Sequence, residues 1–243
     1  MQRGDPECEL VRTYALNTIT ADGTYNRLDD EYRKIRIFKI DRKGEEETFN
    51  EMKGLGNRKL LWHGSGMANF LGIMSQGLRI APPEAPSTGY MFGKGVYFAD
   101  LLAKSAQYSH GYKSQLVLLC EVALGNQLEL YRNEDVTLDT LGTKYHSVKG
   151  MGRLGPDFKQ QAYAPQGYGI PLSRPIEYPP VPKDVQEKAT ARYNKHHNLQ
   201  SGIFGGGFFG GFYGNQTGYF LQHNEYIVYN TAQIKMRYLV QLD

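Results

Sequence analysis

Residues 114–124 read SQLVLLCEVAL, and the reading of this run decides the fold. A strand with one wet face alternates apolar and polar residues. This one is almost continuously apolar, so it belongs in the middle of a sheet, covered on both faces. Cys120 inside it reads as a small buried core residue. Working outward, RKIRIFKI (33–40) sets Ile35, Ile37 and Ile40 among basic residues and predicts a half-buried strand. RKLLWH (58–63), GVYFAD (95–100), EYIVYN (225–230) and IKMRYLVQL (234–242) predict four more. Helical spacing appears in GMANFLGIMSQG (66–77), with Met67, Phe70, Leu71 and Met74 on one side and Gly77 as C-cap. It appears again in DLLAKSAQYSH (100–110), with Leu101, Leu102, Ala106 and Tyr108 toward one side. Strands dominate and do not alternate regularly with helices, so the class is α+β. GKGVYF is not a dinucleotide fingerprint, which argues against a Rossmann domain.

With 243 residues, 40% hydrophobic and 22% charged, the chain has globular proportions. A net charge of +3 is too small to argue for nucleic-acid binding. Two cysteines, Cys8 and Cys120, build neither a disulfide framework nor a four-cysteine metal site. The first residues, MQRGDPECEL, hold no signal-peptide core, and no apolar run approaches the ~18 residues of a membrane span. These features predict a reducing, intracellular setting. The 62 residues before His63 read mainly as strands. Beyond residue 155 the character changes. YPPVPKD (178–184) is extended, and VQEKATARYNKHHNLQ (185–200) holds a polar helix. GIFGGGFFGGFYGNQTGYF (202–220) is glycine-rich with Phe and Tyr, and ordering glycine is costly. The expectation is one domain over 1–243 with a partly mobile insertion over 174–222. Phe208, Phe209, Phe212 and Tyr213 either form a linker loop or stack on nucleic-acid bases.

The richness in tyrosine, 18 residues against one tryptophan, suits planar ligands. Three polar residues stand where predicted strands meet loops: His63, Tyr97 and Glu225. Lys104, Ser105 and Tyr108 follow on one predicted helix, the last two on a shared face. Tyr97 and Tyr108 are placed to wall a slot for a flat heterocycle. Taken singly, each of these residues is as well explained as a strand-end, solvated or core-rim residue.

Residues 60–110, from LLWHGSGMANFLGIMSQGLRIAPPEAPSTGYMFGKG to VYFADLLAKSAQYSH, together with HSVKGMG (146–152) and NEYIVYN (224–230), resemble the catalytic domain of the poly(ADP-ribose) polymerases. The match runs over residues 8–154 and 223–243 and is closest to the DNA-damage-responsive nuclear branch. The resemblance implies an ADP-ribosyltransferase fold: mostly antiparallel split β-sheets, few flanking helices, and an NAD+ cleft. It implies an H-Y-E triad at His63, Tyr97 and Glu225, with His63 on the adenosine ribose. Gly64 would bond the nicotinamide carboxamide through its backbone, and Ser105 through its hydroxyl. Tyr97 and Tyr108 would frame the ring, while Ser65 and Arg79 would lie toward the adenosine. Tyr90, Met91 and Lys104 would border an acceptor site, and residues 81–94 would form the donor-site loop.

NAD+ is then a substrate, with no resident cofactor and no metal. Protein acceptors and the growing poly(ADP-ribose) chain are the partners. Glu225 favours polymer synthesis; transfer of a single unit and an inactive NAD+- or ADP-ribose-binding module are the alternatives. The resemblance implies a nuclear location, with the cytoplasm as alternative. The 62 residues before His63 are not expected to hold the family's helical regulatory domain or its DNA-reading modules. The expectation is therefore turnover that does not wait for DNA, which severalfold stimulation by nicked DNA would contradict.

Overall fold

The computed structural model describes residues 1, 4–19, 34–82, 84–85, 90–109, 114–196 and 217–243. In chain order the elements are α1 (Pro6–Thr18), β1 (Ile35–Lys39), α2 (Glu45–Met52), β2 (Arg58–Gly64), α3 (Phe70–Gln76), β3 (Val96–Phe98) and α4 (Leu102–Ala106). Then come β4 (Gln115–Ala123), β5 (Gln127–Leu130), α5 (Leu138–Leu141), β6 (Ser147–Gly150), β7 (Gly152–Pro156), β8 (Ala162–Tyr163) and β9 (Gly169–Ile170). Last are β10 (Pro175–Glu177), α6 (Lys183–His196), β11 (Leu221–His223), β12 (Glu225–Val228) and β13 (Ile234–Leu242).

The apolar run opens this architecture as expected. β4 lies inside a six-stranded sheet ordered β1-β13-β4-β2-β9-β8. Both of its faces are covered by alternation of its own side chains. Val117 and Leu119 join a core with Leu60, Trp62, Val240 and the α1 residues Val11, Tyr14 and Ala15. Leu118, Cys120 and Val122 join a second core with Leu61, Phe98, Tyr226 and Met236. Each fully buried aliphatic or aromatic side chain of this kind contributes ~1.5–3 kcal/mol, which fixes the register of β2 against β4. A slip of one residue would exchange the two faces.

A four-stranded sheet, β3-β12-β6-β5, covers the second core, and a three-stranded sheet, β10-β7-β11, flanks it. Most pairings are antiparallel; β2–β9, β5–β6 and β7–β11 are parallel. The large and the four-stranded sheets meet at an isolated antiparallel bridge between Trp62 and Ala99. The expected split, mostly antiparallel α+β architecture is what the chain adopts.

The segment before His63 corrects the sequence reading. Besides β1 it holds two α-helices and a 3-10 turn over Lys53–Leu55. The start of α1 carries the signals for a helix. Asp5 caps the Glu7 N–H at 2.9 Å, a proline opens the first turn, and Glu7 and Glu9 face the positive end of the dipole. Cys8, Val11, Ala15 and Thr18 recur at helical spacing and are buried. A second correction concerns 66–77. Met67–Asn69 form a 3-10 turn before α3, and Leu71 is 84% exposed rather than packed with buried Phe70. The Leu102–Ala106 helix is also shorter than expected; Tyr108 sits in the turn beyond it.

Within 174–222, β10 pairs with β7, α6 occupies the expected polar helix, and β11 joins β7. Phe208, Phe209, Phe212 and Tyr213 lie outside the described residues. Among the described residues, no helix is long and apolar enough to cross a membrane.

Candidate active site

A cleft of about 760 Å³ opens beside the Trp62–Ala99 bridge, where the two larger sheets diverge. His63, Gly64, Ser65, Arg79, Tyr90, Met91, Tyr97, Lys104, Ser105, Tyr108 and Glu225 all line it. Every residue that the sequence reading assigned to the NAD+ and acceptor sites thus meets in one cavity, although Glu225 is far along the chain from the rest.

Strand alternation explains the first wall. Leu60 and Trp62 face the α1 core, so Leu61 and His63 turn to the opposite face, toward the smaller sheet. The His63 ring lies 5.6 Å from that of Phe98. Its Nδ1 is 2.8 Å from the Tyr97 carbonyl oxygen. A carbonyl only accepts, so Nδ1 carries the proton and Nε2 is left as an acceptor, the right partner for a ligand hydroxyl. Burial lowers the His63 pKa, outweighing the opposing effect of that hydrogen bond, so the ring is neutral at pH 7.

Gly64 continues the ladder. Trp62 exchanges both backbone hydrogen bonds with Ala99, at 2.8 and 2.9 Å. Two residues on, Gly64 turns its N–H and C=O to the same side, where the cleft has opened. Its lack of a side chain is required by contact. A Cβ there would stand 1.8 Å from the Ser105 carbonyl oxygen. That close approach brings α4 against β2 and delivers the 4%-exposed Ser105 to the same wall. The Tyr108 N–H donates to the Ser105 carbonyl at 3.1 Å, so the turn after α4 keeps the pair together.

The second wall comes from β3 and β12. Val96 and Phe98 face the core, which turns Tyr97 the other way. Tyr97 pairs with Ile227 across the strands, and Glu225 lies two residues along on the same face. The Tyr97 hydroxyl donates to the Gly93 carbonyl at 2.7 Å and accepts from the Phe92 N–H at 2.9 Å. Burial pushes its pKa well up, so it remains a protonated phenol that shapes the wall and the loop before it. Glu225 is 6% exposed, and its Oε1 lies 2.8 Å from Lys104 Nζ. Burial pulls the Lys104 pKa down, but the Glu225 carboxylate and the Tyr108 hydroxyl more than reverse this. The ammonium also lies 5.4 Å from the Tyr108 ring centre. Tyr108 is itself 53% exposed, forming the outer lip, and Tyr90 packs 5.9 Å from Tyr97.

The arrangement joins a neutral wall with backbone polar groups to a buried carboxylate across the cavity. The first can recognise an amide-bearing ring. The second can stabilise a positive charge that appears during reaction. Among the described residues, no group of three or more His, Cys, Asp or Glu is placed to hold a metal. The sequence reading left out Asn69, Ile73 and Gln76, which α3 and the turn before it present to the cleft. It also left out Asp100, Asn224 and Tyr226 behind Glu225. These three stood inside the quoted GVYFAD and NEYIVYN, and polar Asp and Asn beside apolar strands were their signal.

The family model for the poly(ADP-ribose) polymerase catalytic domain matches residues 7–198. The chain is 40% identical over 245 residues to poly [ADP-ribose] polymerase 1 of Gallus gallus, spanning all of this chain and 20% of that protein. It is 43% identical over 239 residues to poly [ADP-ribose] polymerase 1 of Xenopus laevis, spanning 97% of this chain and 20% of that protein. It is 40% identical over 240 residues to poly [ADP-ribose] polymerase 2-B of Oryza sativa subsp. japonica, spanning 98% of this chain and 33% of that protein. The chain therefore spans a fifth to a third of the length of these relatives.

Proposed function

The chain belongs to the poly(ADP-ribose) polymerase catalytic-domain family, and from that premise we propose that its cleft binds NAD+, releases nicotinamide, and transfers ADP-ribose to protein acceptors and to growing ADP-ribose chains. The observation that carries the reading is the buried Glu225 carboxylate, held by Lys104 in the same cavity as Gly64, Ser105 and Tyr97. A wall that only recognised a flat amide would have no use for a carboxylate on the other side.

In this reading Gly64 accepts and donates through its backbone to the nicotinamide carboxamide, and the Ser105 hydroxyl donates to the carboxamide oxygen. Tyr97 and Tyr108 enclose the ring. The Nε2 of His63 accepts from a hydroxyl of the adenosine ribose, with Ser65 and Arg79 on the same side. Tyr90, Met91 and Lys104 border the space for the acceptor. When the glycosidic bond breaks, its electron pair stays on the nicotinamide nitrogen and the ring leaves neutral. Positive charge develops on the ribose carbon, as in glycoside hydrolysis. The Glu225 carboxylate accepts from the ribose 2′-hydroxyl and stabilises that charge more in the transition state than in the ground state. The acceptor hydroxyl, polarised by Glu225, attacks the face opposite the leaving group and passes its proton to the Glu225 carboxylate. The configuration inverts from β to α.

Polymer rather than single-unit transfer is favoured by Glu225 itself and by the relatives' printed names. A nuclear place of action, with the cytoplasm as alternative, rests on the resemblance to the nuclear branch of the family. Incubation with labelled NAD+ tests the reading. A ladder on a gel, with nicotinamide released, is the expected result. One sharp band would mean single transfer, free ADP-ribose alone a hydrolase, and no release of nicotinamide a binding module.

A further inference from the structure

A polar joint lies behind Glu225 that the reaction as described does not use. Asp100, at the end of the segment that carries Tyr97, is fully buried. Its Oδ2 accepts from Asn224 Nδ2 at 2.8 Å and from the Tyr226 hydroxyl at 2.9 Å. Asn224 and Tyr226 are the chain neighbours of Glu225 on either side, and both are fully buried. Asn224 is gripped again through Oδ1, which accepts the Gly152 N–H at 3.0 Å. One carboxylate oxygen thus ties both neighbours of the β12 glutamate to the β3 segment.

The joint is also anchored from α1. The Tyr14 hydroxyl lies 3.0 Å from the Asp100 carbonyl oxygen and 3.3 Å from that of Leu60 on β2. Thr18 Oγ1 accepts the N–H of Leu102, the first residue of α4, at 3.2 Å. The strand with His63 and the helix with Ser105 and Lys104 are therefore referenced to the same point. Against this stands a cost. Asp100 Oδ1 is buried without a hydrogen-bond partner, and burial pushes the carboxyl up to about 6. A buried carboxylate with one orphan oxygen is a poor source of stability, and a well-packed apolar group would be cheaper. What it supplies instead is direction, since two donors from β12 must converge on one atom.

We propose that Asp100 is a positioning residue for Glu225, fixing where the carboxylate stands relative to Tyr97 by holding Asn224 and Tyr226 to the end of β3. The inference rests on the functional reading above. Its consequence is specific, because Gly64 and Ser105 bind nicotinamide without it. Loosening the joint should slow the chemical step and leave substrate binding intact.

The test is a cycle of four chains: wild type, Tyr226→Phe, Glu225→Gln, and the double variant, with nicotinamide release from NAD+ giving kcat and KM. Tyr226→Phe removes one hydroxyl and keeps the ring that fills the core. It should lower kcat ~10-fold, below the ~10²-fold that a 1 Å misplacement can cost, with KM and the dissociation constant of free nicotinamide unchanged within about twofold. In the Glu225→Gln background the same change should cost less than twofold. Asp100→Asn keeps an acceptor oxygen and should stay nearer wild type than Asp100→Ala. Equal losses in both backgrounds, a rise in KM at constant kcat, or an Asp100→Asn as impaired as Asp100→Ala would each overturn the proposal alone. A wild type that turns over no NAD+, or a Glu225→Gln as fast as wild type, would overturn the functional reading and the proposal with it.

Discussion

One wall of the cleft, from β2 and α4, presents the Gly64 backbone, the Ser105 side chain and a neutral His63, while the other, from β3 and β12, sets Glu225 beside Tyr97, where α4 extends the Lys104 ammonium across to it. Apart from that Lys104 ammonium, the first is built from groups that carry no net charge, and its strand and helix touch where Gly64 has no side chain. The second holds the Glu225 carboxyl group buried, with the Asp100 carboxyl group behind it. A neutral, rigid wall discriminates by shape and hydrogen bonds and acts equally on ground and transition states. A charged wall discriminates in time, because it meets its complement only when the ribose becomes positive. The difference predicts that damage to the first raises KM and damage to the second lowers kcat.

Glu225→Gln gives the largest break. The amide keeps size and one acceptor oxygen but loses the charge. Removal of an electrostatic partner of the transition state typically costs 10²–10³-fold in rate, so kcat should fall by ~10³ with little change in KM. Loss confined to KM would reverse the roles of the two walls.

Gly64→Ala comes next and strikes the other wall. The new methyl cannot coexist with the Ser105 carbonyl, so α4 must move off β2. Both nicotinamide partners are then displaced together. We expect KM to rise by roughly 10²-fold, about 2.7 kcal/mol, and the affinity for free nicotinamide to fall in parallel. A variant with normal nicotinamide affinity would show that the backbone of residue 64 is not part of the grip.

The central strand and the two strands with His63 and Glu225 were legible because each sits in a local pattern, whereas Gly64, Ser65, Arg79, Tyr90 and Met91 were assigned to the cleft only through the family resemblance. SQLVLLCEVAL has one reading as a strand, and LLWH and EYIVY place their polar residues at strand ends. What stayed hidden was relational. α1 has only weak segregation of apolar residues, yet Tyr14 and Thr18 become buried because β2 and α4 supply partners over 40 residues away. Asp100 looks like an ordinary strand-end carboxylate until Asn224 and Tyr226, more than 120 residues on, converge on it. Leu71 fits a helical apolar stripe but is left outside because the neighbouring face of α3, with Gly72, Ile73 and Gln76, lines the cleft. Periodicity reports which face is apolar, not what covers it.

The charged wall should also carry its own pH signature, read in stability rather than in kinetics. Asp100 has its carboxyl raised from 3.8 to about 6, chiefly by burial, with Asn224, Lys149 and Tyr226 opposing the rise. Tyr14 and Tyr178 also face it. Between pH ~4 and ~6 the folded chain therefore holds a proton that the unfolded chain has released. The sign follows: this contribution is present at low pH and is lost as pH rises through 6. Two pKa units correspond to at most ~3 kcal/mol. Asp100→Asn, which cannot titrate, should raise the urea-unfolding stability at pH 7.5 relative to that at pH 4.5 by up to that amount. An unchanged pH dependence would mean that Asp100 does not titrate in this window.

The smallest effect tests the neutral wall most cleanly. Ser105→Ala removes one hydroxyl from a side chain already packed between α4 and β2, and alanine suits a helix better than serine. No backbone need move, and Glu225, Tyr97 and Lys104 keep their places. If the hydroxyl makes one hydrogen bond to the carboxamide, its loss is worth ~1 kcal/mol, a KM about fivefold higher. Because that bond is the same before and during cleavage, kcat should stay within twofold. Binding of free nicotinamide should weaken by the same factor, since the ring carries the whole contact. A fall in kcat instead would mean that the helix wall, too, answers the charge of the transition state, and the division between the walls would have to be redrawn with Ser105 on the reactive side.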